Sequence, residues 1–268
     1  MKNPITFLLA AASLLLYACG GKVRNPTHPD VARDTLAYSY KTLKQRADDC
    51  GDKPDSTCTV IKIIYPEFRS APILNDTLKR RLVSFAYLQE KPDTSFSSSA
   101  DKFMKAYKDD IKTTGRKDMF YTAQTTATVI RQDSALTTIE IKSYQYTGGA
   151  HGSSSTTFLN WNTKTHKELK LADVLVEGYL PKLNAVAEKI FRKSENLTDT
   201  SSLARDYFFK DAKFSVNNNF LITPVGIRFL YNEYEIKPYA AGQTDLFVPY
   251  TKIKGLLKPN TVTSQYLH

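Results

Sequence analysis

The chain has 268 residues, 41% of them hydrophobic and 24% charged, and a formal net charge of +10. That composition supports a sizeable buried core and excludes a wholly disordered or fibrous protein. With four histidines and three cysteines it also argues against a multi-histidine or cysteine-rich metal site, so no metal and no cofactor is expected.

Residues 1–18 open with Lys2 and run into the apolar stretch ITFLLAAASLLLYA over 5–18. The stretch is too short for a typical transmembrane helix and reads as a secretory signal peptide. It ends at Leu16-Tyr17-Ala18-Cys19, which resembles a lipoprotein lipobox, with Tyr17 where a small or aliphatic residue is usual. Cys19 is the expected lipidation site; ordinary cleavage that leaves Cys19 a free thiol is the alternative. Lipidation anchors a mature chain to a bacterial envelope membrane without spanning it. No acidic run follows Cys19, which favours the periplasm-facing side of an outer membrane. Residues 19–30, with Gly20, Gly21, Pro26 and Pro29, read as a tether.

Cys50 and Cys58 flank a turn-rich segment and are expected to form a disulfide in an exported chain. The β-branched run 57–68 predicts a strand. Asn75 or Asp76 is placed to cap a helix reaching about residue 88, with Leu78, Leu82, Phe85 and Leu88 on one face. A second helix is predicted over 98–113, with Phe103, Met104, Tyr107 and Ile111 at helical spacing. Strands follow over 119–131 and 135–147, joined by a turn at Asp133-Ser134. Residues 148–155 are small and polar and read as a loop, 156–162 as a strand, and Asn162–Thr165 as a turn. Helical spacing returns at 179–193, and a shorter helix is predicted over 201–209. A hairpin around Pro224 pairs 219–223 with 225–231, and a last strand near 246–249 precedes a short helix to Leu257. Strands and helices do not alternate strictly, so the fold class is α+β: two small subdomains, mixed or antiparallel sheets packed with helices. We place them at 31–155 and 156–257, with a tail over 258–268.

Charge is spread along the chain, with no basic block interleaved with aromatics, and nucleic-acid binding is not expected. No H-E-x-x-H, G-x-S-x-G, Walker or Rossmann pattern occurs. The unusual segment is Tyr144-Gln145-Tyr146-Thr147-Gly148-Gly149-Ala150-His151-Gly152, followed by three serines. Glycine lets a ligand approach the backbone, and the imidazole and hydroxyls offer directional polar contacts. Tyr146, Gly148, Gly149 and His151 are therefore candidate ligand-binding residues; a tight structural turn is the other reading. A catalytic serine–histidine pair needs an orienting carboxylate and an oxyanion hole that the sequence does not name, so no catalytic residue is assigned. A second cluster, Phe229 to Gly242, adds Tyr231, Tyr234 and Tyr239 as candidates for stacking on sugar faces, against the reading of half-buried structural tyrosines. Glu233 and Glu235, two residues apart, are not expected to flank a scissile bond as a glycosidase pair must.

YTGGAHG over 146–152, the strand STTFLNWNTKT, KELKLADVL and the closing YNEYEIKPYAAGQTDLFVPYTKIKGLL together resemble a specific envelope domain pair. It is the pair of RsiV-type anti-sigma factors, which also precedes the catalytic domain of PdaC-type peptidoglycan deacetylases. The resemblance covers roughly residues 45–257. It implies an envelope fold of largely unknown function. The RsiV-type ectodomain is a lysozyme receptor, but the transmembrane and sigma-binding segments of that family are not found here. The paired metal-binding histidines of the deacetylase domain are absent as well. Three functions follow as expectations: a non-catalytic module binding peptidoglycan or another envelope glycan, a protein-binding module capturing or inhibiting a lysozyme-like hydrolase, or a hydrolase using His151.

Overall fold

The computed structural model describes residues 36–85, 95–116 and 118–267. Cys19, the apolar run before it, the tether and Leu88 lie outside the described residues.

The first unit is built on β2 (Val60–Phe68), whose Val60, Ile61, Ile63 and Phe68 are buried. The helix after it, α1 (Pro72–Phe85), starts earlier than expected, with Pro72 at a first-turn position that needs no N–H partner. Asn75 does not cap it. Its side chain accepts from the Phe68 N–H at 2.9 Å and donates to the Phe68 carbonyl at 2.8 Å, tying the helix to the strand end. Leu74, Leu78 and Leu82, one turn apart, form the buried stripe. In α2 (Phe96–Thr114) the Ser95 hydroxyl accepts from the Ser98 N–H. Gly115, at φ 71°, closes the other end through its N–H to the Ile111 carbonyl.

β3 (Thr122–Gln132) and β4 (Leu136–Tyr146) pair antiparallel, and Asp133 Oδ1 accepts from the N–H groups of Ala135 and Leu136 at the turn between them. The sheet runs β1-β2-β3-β4-β5-β6, with β1 at Tyr38–Arg46, β5 at Ser153–Asn162 and β6 at Lys167–Glu168. Only β2 and β3 are parallel, and α1 and α2 make the crossover that such a pair requires. Both helices pack on one face, against Ala127, Ile139, Ile141 and Leu159. The Cys50–Cys58 disulfide is formed, with Cα atoms 5.4 Å apart, and joins the same core.

The second unit contains α3 (Leu171–Val174), α4 (Tyr179–Ser194), the antiparallel sheet β7 (Phe220–Ile222), β8 (Gly226–Tyr231) and β9 (Thr244–Pro249), and α5 (Tyr250–Ile253). Leu183, Ala187 and Phe191 of α4 meet Ile222, Ile227, Phe229 and Val248 in its core. Two mixed and antiparallel sheets packed with helices make an α+β protein, as the sequence implies.

Three further local expectations differ. β1 was not foreseen, because YSYKTLKQR lies largely exposed and shows no apolar period. Ser153–Ser155 extend β5 because their backbones pair with Ser143–Gln145 of β4. The expected helix at 201–209 is a single turn: the Tyr207 N–H reaches the Leu203 carbonyl, but the next N–H, of Phe208, goes to the Ile236 carbonyl. Leu203 and Tyr207 are core residues on a turn, not a helical stripe.

The units meet at the free edge of β5. There Asn219 accepts from the Phe158 N–H at 3.1 Å and donates to the Thr156 carbonyl at 2.8 Å. Asn232 accepts from the Thr156 N–H at 2.7 Å, and the buried Asn160 accepts from the Ile222 N–H at 3.1 Å and donates to the Phe220 carbonyl at 2.7 Å. Residues 258–267 add a second tie: the Tyr266 hydroxyl donates to Asp133 Oδ2 at 2.6 Å, and Arg131 Nε lies 3.2 Å from the same atom.

Two outcomes are expected. Asn219→Ala leaves the Phe158 N–H without its partner, while the Thr156 and Leu230 carbonyls keep Asn232 and Asn217 as donors, and should lower unfolding free energy by about 1–3 kcal/mol in a denaturant titration. Burial pushes the Asp133 carboxyl up, but hydrogen bonds from Tyr266, Ala135, Leu136 and Arg131 outweigh it and hold the group below the usual aspartate value. A carboxylate with a lower folded than unfolded pKa stabilises the fold above the ordinary aspartate value. That contribution is lost as pH falls through the folded value. Asp133→Asn should therefore flatten the acid limb of a melting-temperature profile against pH.

Candidate functional site

β4 ends in Tyr144-Gln145-Tyr146 and the chain turns through 147–152 into β5. Gly148 and Gly149 sit at φ 90° and 94°, a region that side-chain-bearing residues rarely adopt. The Tyr146 hydroxyl donates to the Gly149 carbonyl at 3.2 Å and closes the loop on itself. Gly152 has a different role: a Cβ there would stand 2.5 Å from the Tyr144 ring, which lies directly over the glycine.

His151 Nδ1 lies 2.9 Å from the Gly152 carbonyl. A carbonyl only accepts, so Nδ1 carries a proton in this arrangement. The imidazole stacks on Tyr239, with centroids 4.2 Å apart and planes at 15°. Tyr234 follows in the same row, 5.4 Å from Tyr239 at 31°. The structure thus joins two segments that the sequence keeps apart by more than eighty residues. Of the seven candidate ligand-binding residues, Tyr146, Gly148, Gly149 and His151 share one loop, and Tyr239 and Tyr234 stack onto it.

Tyr231 is separate. It is 1% exposed in the second core and its hydroxyl donates to the Ser215 carbonyl at 2.8 Å. Burial, with the nearby Glu235 carboxylate, pushes its phenol far above the ordinary value. Glu233, Tyr234 and Glu235 form a turn beyond β8 with Tyr234 at φ 64°, not a strand. The two glutamates accordingly diverge. Glu235 accepts from the Asn232 N–H at 2.8 Å and from Asn217 at 2.7 Å, while Glu233 lines a groove.

That groove runs over the sheet face opposite α1 and α2. It consists of two open depressions of about 520 and 530 Å³ that share Gln124 and Tyr144. One is lined by Asp55, Ser56, Phe120, Thr122, Tyr146 and His151, and the other by Thr126, Lys142, Ser154, Thr156, Glu233 and Gln243. Asp55 is held by Lys44 at 2.6 Å and lies below the usual aspartate value through that hydrogen bond. Lys142 pairs with Glu140 at 2.8 Å. Gln243 donates to Asn232 Oδ1 at 3.0 Å. Gln124, Thr126, Lys142 and Gln243 were not singled out in the sequence. The available signal was the alternation in β3, where Gln124 and Thr126 are exposed and Ala123, Thr125 and Ala127 are buried. No carboxylate orients His151, and no group of three potential metal-ligating side chains occurs among the described residues.

Residues 53–154 match the family model described as "Deacetylase PdaC", and residues 172–251 match "Protein of unknown function (DUF3298)". The chain thus carries one segment similar to each of the two models, one after the other. Its fold is similar to that of a DUF3298 family member from Bacteroides fragilis NCTC 9343, with 24% identity, a TM-score of 0.68, and coverage of 87% of this chain and 99% of the other. It is likewise similar to a DUF3298 family protein from Pseudomonas aeruginosa PAO1, at 24% identity, TM-score 0.64, and coverage of 84% and 95%. No curated protein gives a significant match. The 146–152 loop closes the PdaC-type segment, and Tyr234 and Tyr239 lie in the DUF3298 segment. The His151–Tyr239 stack therefore bridges the two families' matched regions.

The glycines separate in a testable way. Gly148→Ala, forced into a left-handed conformation and within 3.1 Å of the Met119 sulfur, should cost about 1–2 kcal/mol in thermal or denaturant unfolding. Gly152→Ala displaces only an exposed ring, so stability should change by less than about 0.5 kcal/mol while the Tyr144 ring resonances shift in NMR spectra.

Proposed function

We propose that this chain is a cell-envelope lipoprotein whose groove binds peptidoglycan or a related envelope glycan without cleaving it. The observation that carries the reading is the groove itself: aromatic rings at Phe120, Tyr144 and Tyr146 alternate with the amide of Gln124 and the hydroxyls of Thr122, Thr126 and Ser154 along an open sheet face. Saccharides present apolar C–H faces flanked by hydroxyls, so rings supply the area and amides and hydroxyls the direction. His151 supports binding over proton transfer, because its ring is stacked on Tyr239 and no carboxylate among the described residues orients it. The apolar leader and the lipobox-like ending at Cys19 support export and lipid anchoring, on the periplasmic face of an outer membrane. The PdaC-type and DUF3298 matches support a place in the envelope.

Isothermal titration of the soluble chain from Gly20 onward with purified muropeptides tests this. Saturable heat is expected, with Tyr144→Ala and His151→Ala each weakening binding about tenfold, the order set by losing one ring contact. No heat at millimolar muropeptide would overturn the glycan reading. Lysozyme, the protein ligand that the sequence resemblance names, would then be the next titrant.

A further inference from the structure

The groove contains one carboxylate that the fold itself does not use. Glu233 Oε2 is sealed from solvent and has no hydrogen-bond partner, and among the described residues no cation pairs with this side chain. The other charges along the groove are compensated internally. Lys142 is held by Glu140, and Asp55 by Lys44 and Arg46. Neighbouring Glu235 is satisfied by Asn217 and Asn232. An acceptor left without a donor in a water-poor position costs free energy, and a bound group that donates to it recovers that cost. Glu233 belongs to a turn pinned to β5 through Asn232, so the carboxylate is carried to the groove on a fixed support.

We infer that the groove selects a saccharide bearing a free ammonium group, an amino sugar that is not acylated, with Glu233 receiving the ammonium. The inference rests on the glycan reading of the same groove. An ammonium offers three donors and a full positive charge, and charge-assisted hydrogen bonds are about twice as strong as neutral ones. The chain as a whole carries +10 and repels a cationic oligomer, so any preference for one must come from a local carboxylate.

The test compares two tetramers on the purified chain by calorimetry: β-linked glucosamine and its fully N-acetylated counterpart. The glucosamine tetramer should bind about tenfold more tightly at a pH where its amines are charged, the gain of one charge-assisted contact. Glu233→Gln should collapse the ratio of the two affinities towards one. Within the wild-type chain, the ratio should also fall as pH rises and the sugar amines lose their protons. That arm holds even where the variant fails to fold. Equal binding of both tetramers would overturn the ammonium preference and leave the glycan reading standing. A ratio that survives Glu233→Gln in a folded variant, or survives deprotonation of the amines, would overturn the role of Glu233. Binding of neither tetramer would overturn both readings.

Discussion

A strand at the edge of a sheet presents peptide groups that need partners, and β5 is such an edge between Thr156 and Asn160. Much of the junction between the two units follows from how that edge is satisfied. Leu169 closes it at Asn160 through a main-chain bond. Farther along, Asn219 and Asn232 serve Thr156 and Phe158 with side-chain amides. An amide side chain carries a donor and an acceptor on one planar group, so it imitates a peptide unit without requiring a whole strand in register. The second sheet can therefore sit against the first without continuing it. Leu136, Thr138 and Phe158 on the same sheet face are buried, whereas Gln124 and Tyr144 remain exposed.

The candidate site is the uncovered remainder of that face. Asn232, which clamps Thr156, also starts the turn that carries Glu233 and Tyr234, and it accepts from Gln243. One contact thus sets the position of three groove-side residues from the second unit. The stack of His151 on Tyr239 forms on the same side of the junction, and the Tyr239 hydroxyl comes within 3.5 Å of the Gly152 carbonyl. Neither unit supplies the whole groove: the PdaC-type segment provides the sheet face and the glycine loop, and the DUF3298 segment provides the glutamate and the end of the aromatic row.

What was legible in the sequence was what depends on local chemistry. The stripe at Leu78 and Leu82, the turn at Asp133, the Cys50–Cys58 pair and the glycine loop each carry their signal within a few residues. β1 carries none, since an exposed edge strand is held by backbone pairing to β2 and not by an apolar period. Leu203 and Tyr207 show the opposite failure. They bury side chains at helical spacing, yet the Phe208 N–H has a partner in another segment and the helix stops. At the site, composition identified the tyrosine-rich segment but could not sort its members. Tyr231, Tyr234 and Tyr239 differ only in where β8 ends and the turn begins, which places one in the core, one at 56% exposure and one against an imidazole. The floor of the groove was illegible for a different reason. Gln124, Tyr144 and Thr156 become neighbours only through strand order and register, which no single segment encodes.

The two rims of the groove are fixed by unrelated devices, and this bears on how a shallow site can bind at all. On one side the segment closed by the Cys50–Cys58 disulfide carries Asp55 and Ser56, and Lys44 and Arg46 of β1 hold Asp55 in place. On the other side the asparagine contacts hold the turn with Glu233. An open groove buries less of a ligand than a cleft does, so less contact energy is available to offset the ordering of loops and side chains. Rims already held by a covalent link and by hydrogen bonds to a sheet edge need little further ordering. The same reasoning explains why the Tyr144 ring lies over a glycine. Without a Cβ at position 152 the ring packs against the backbone there, and Tyr144 lines both depressions of the groove.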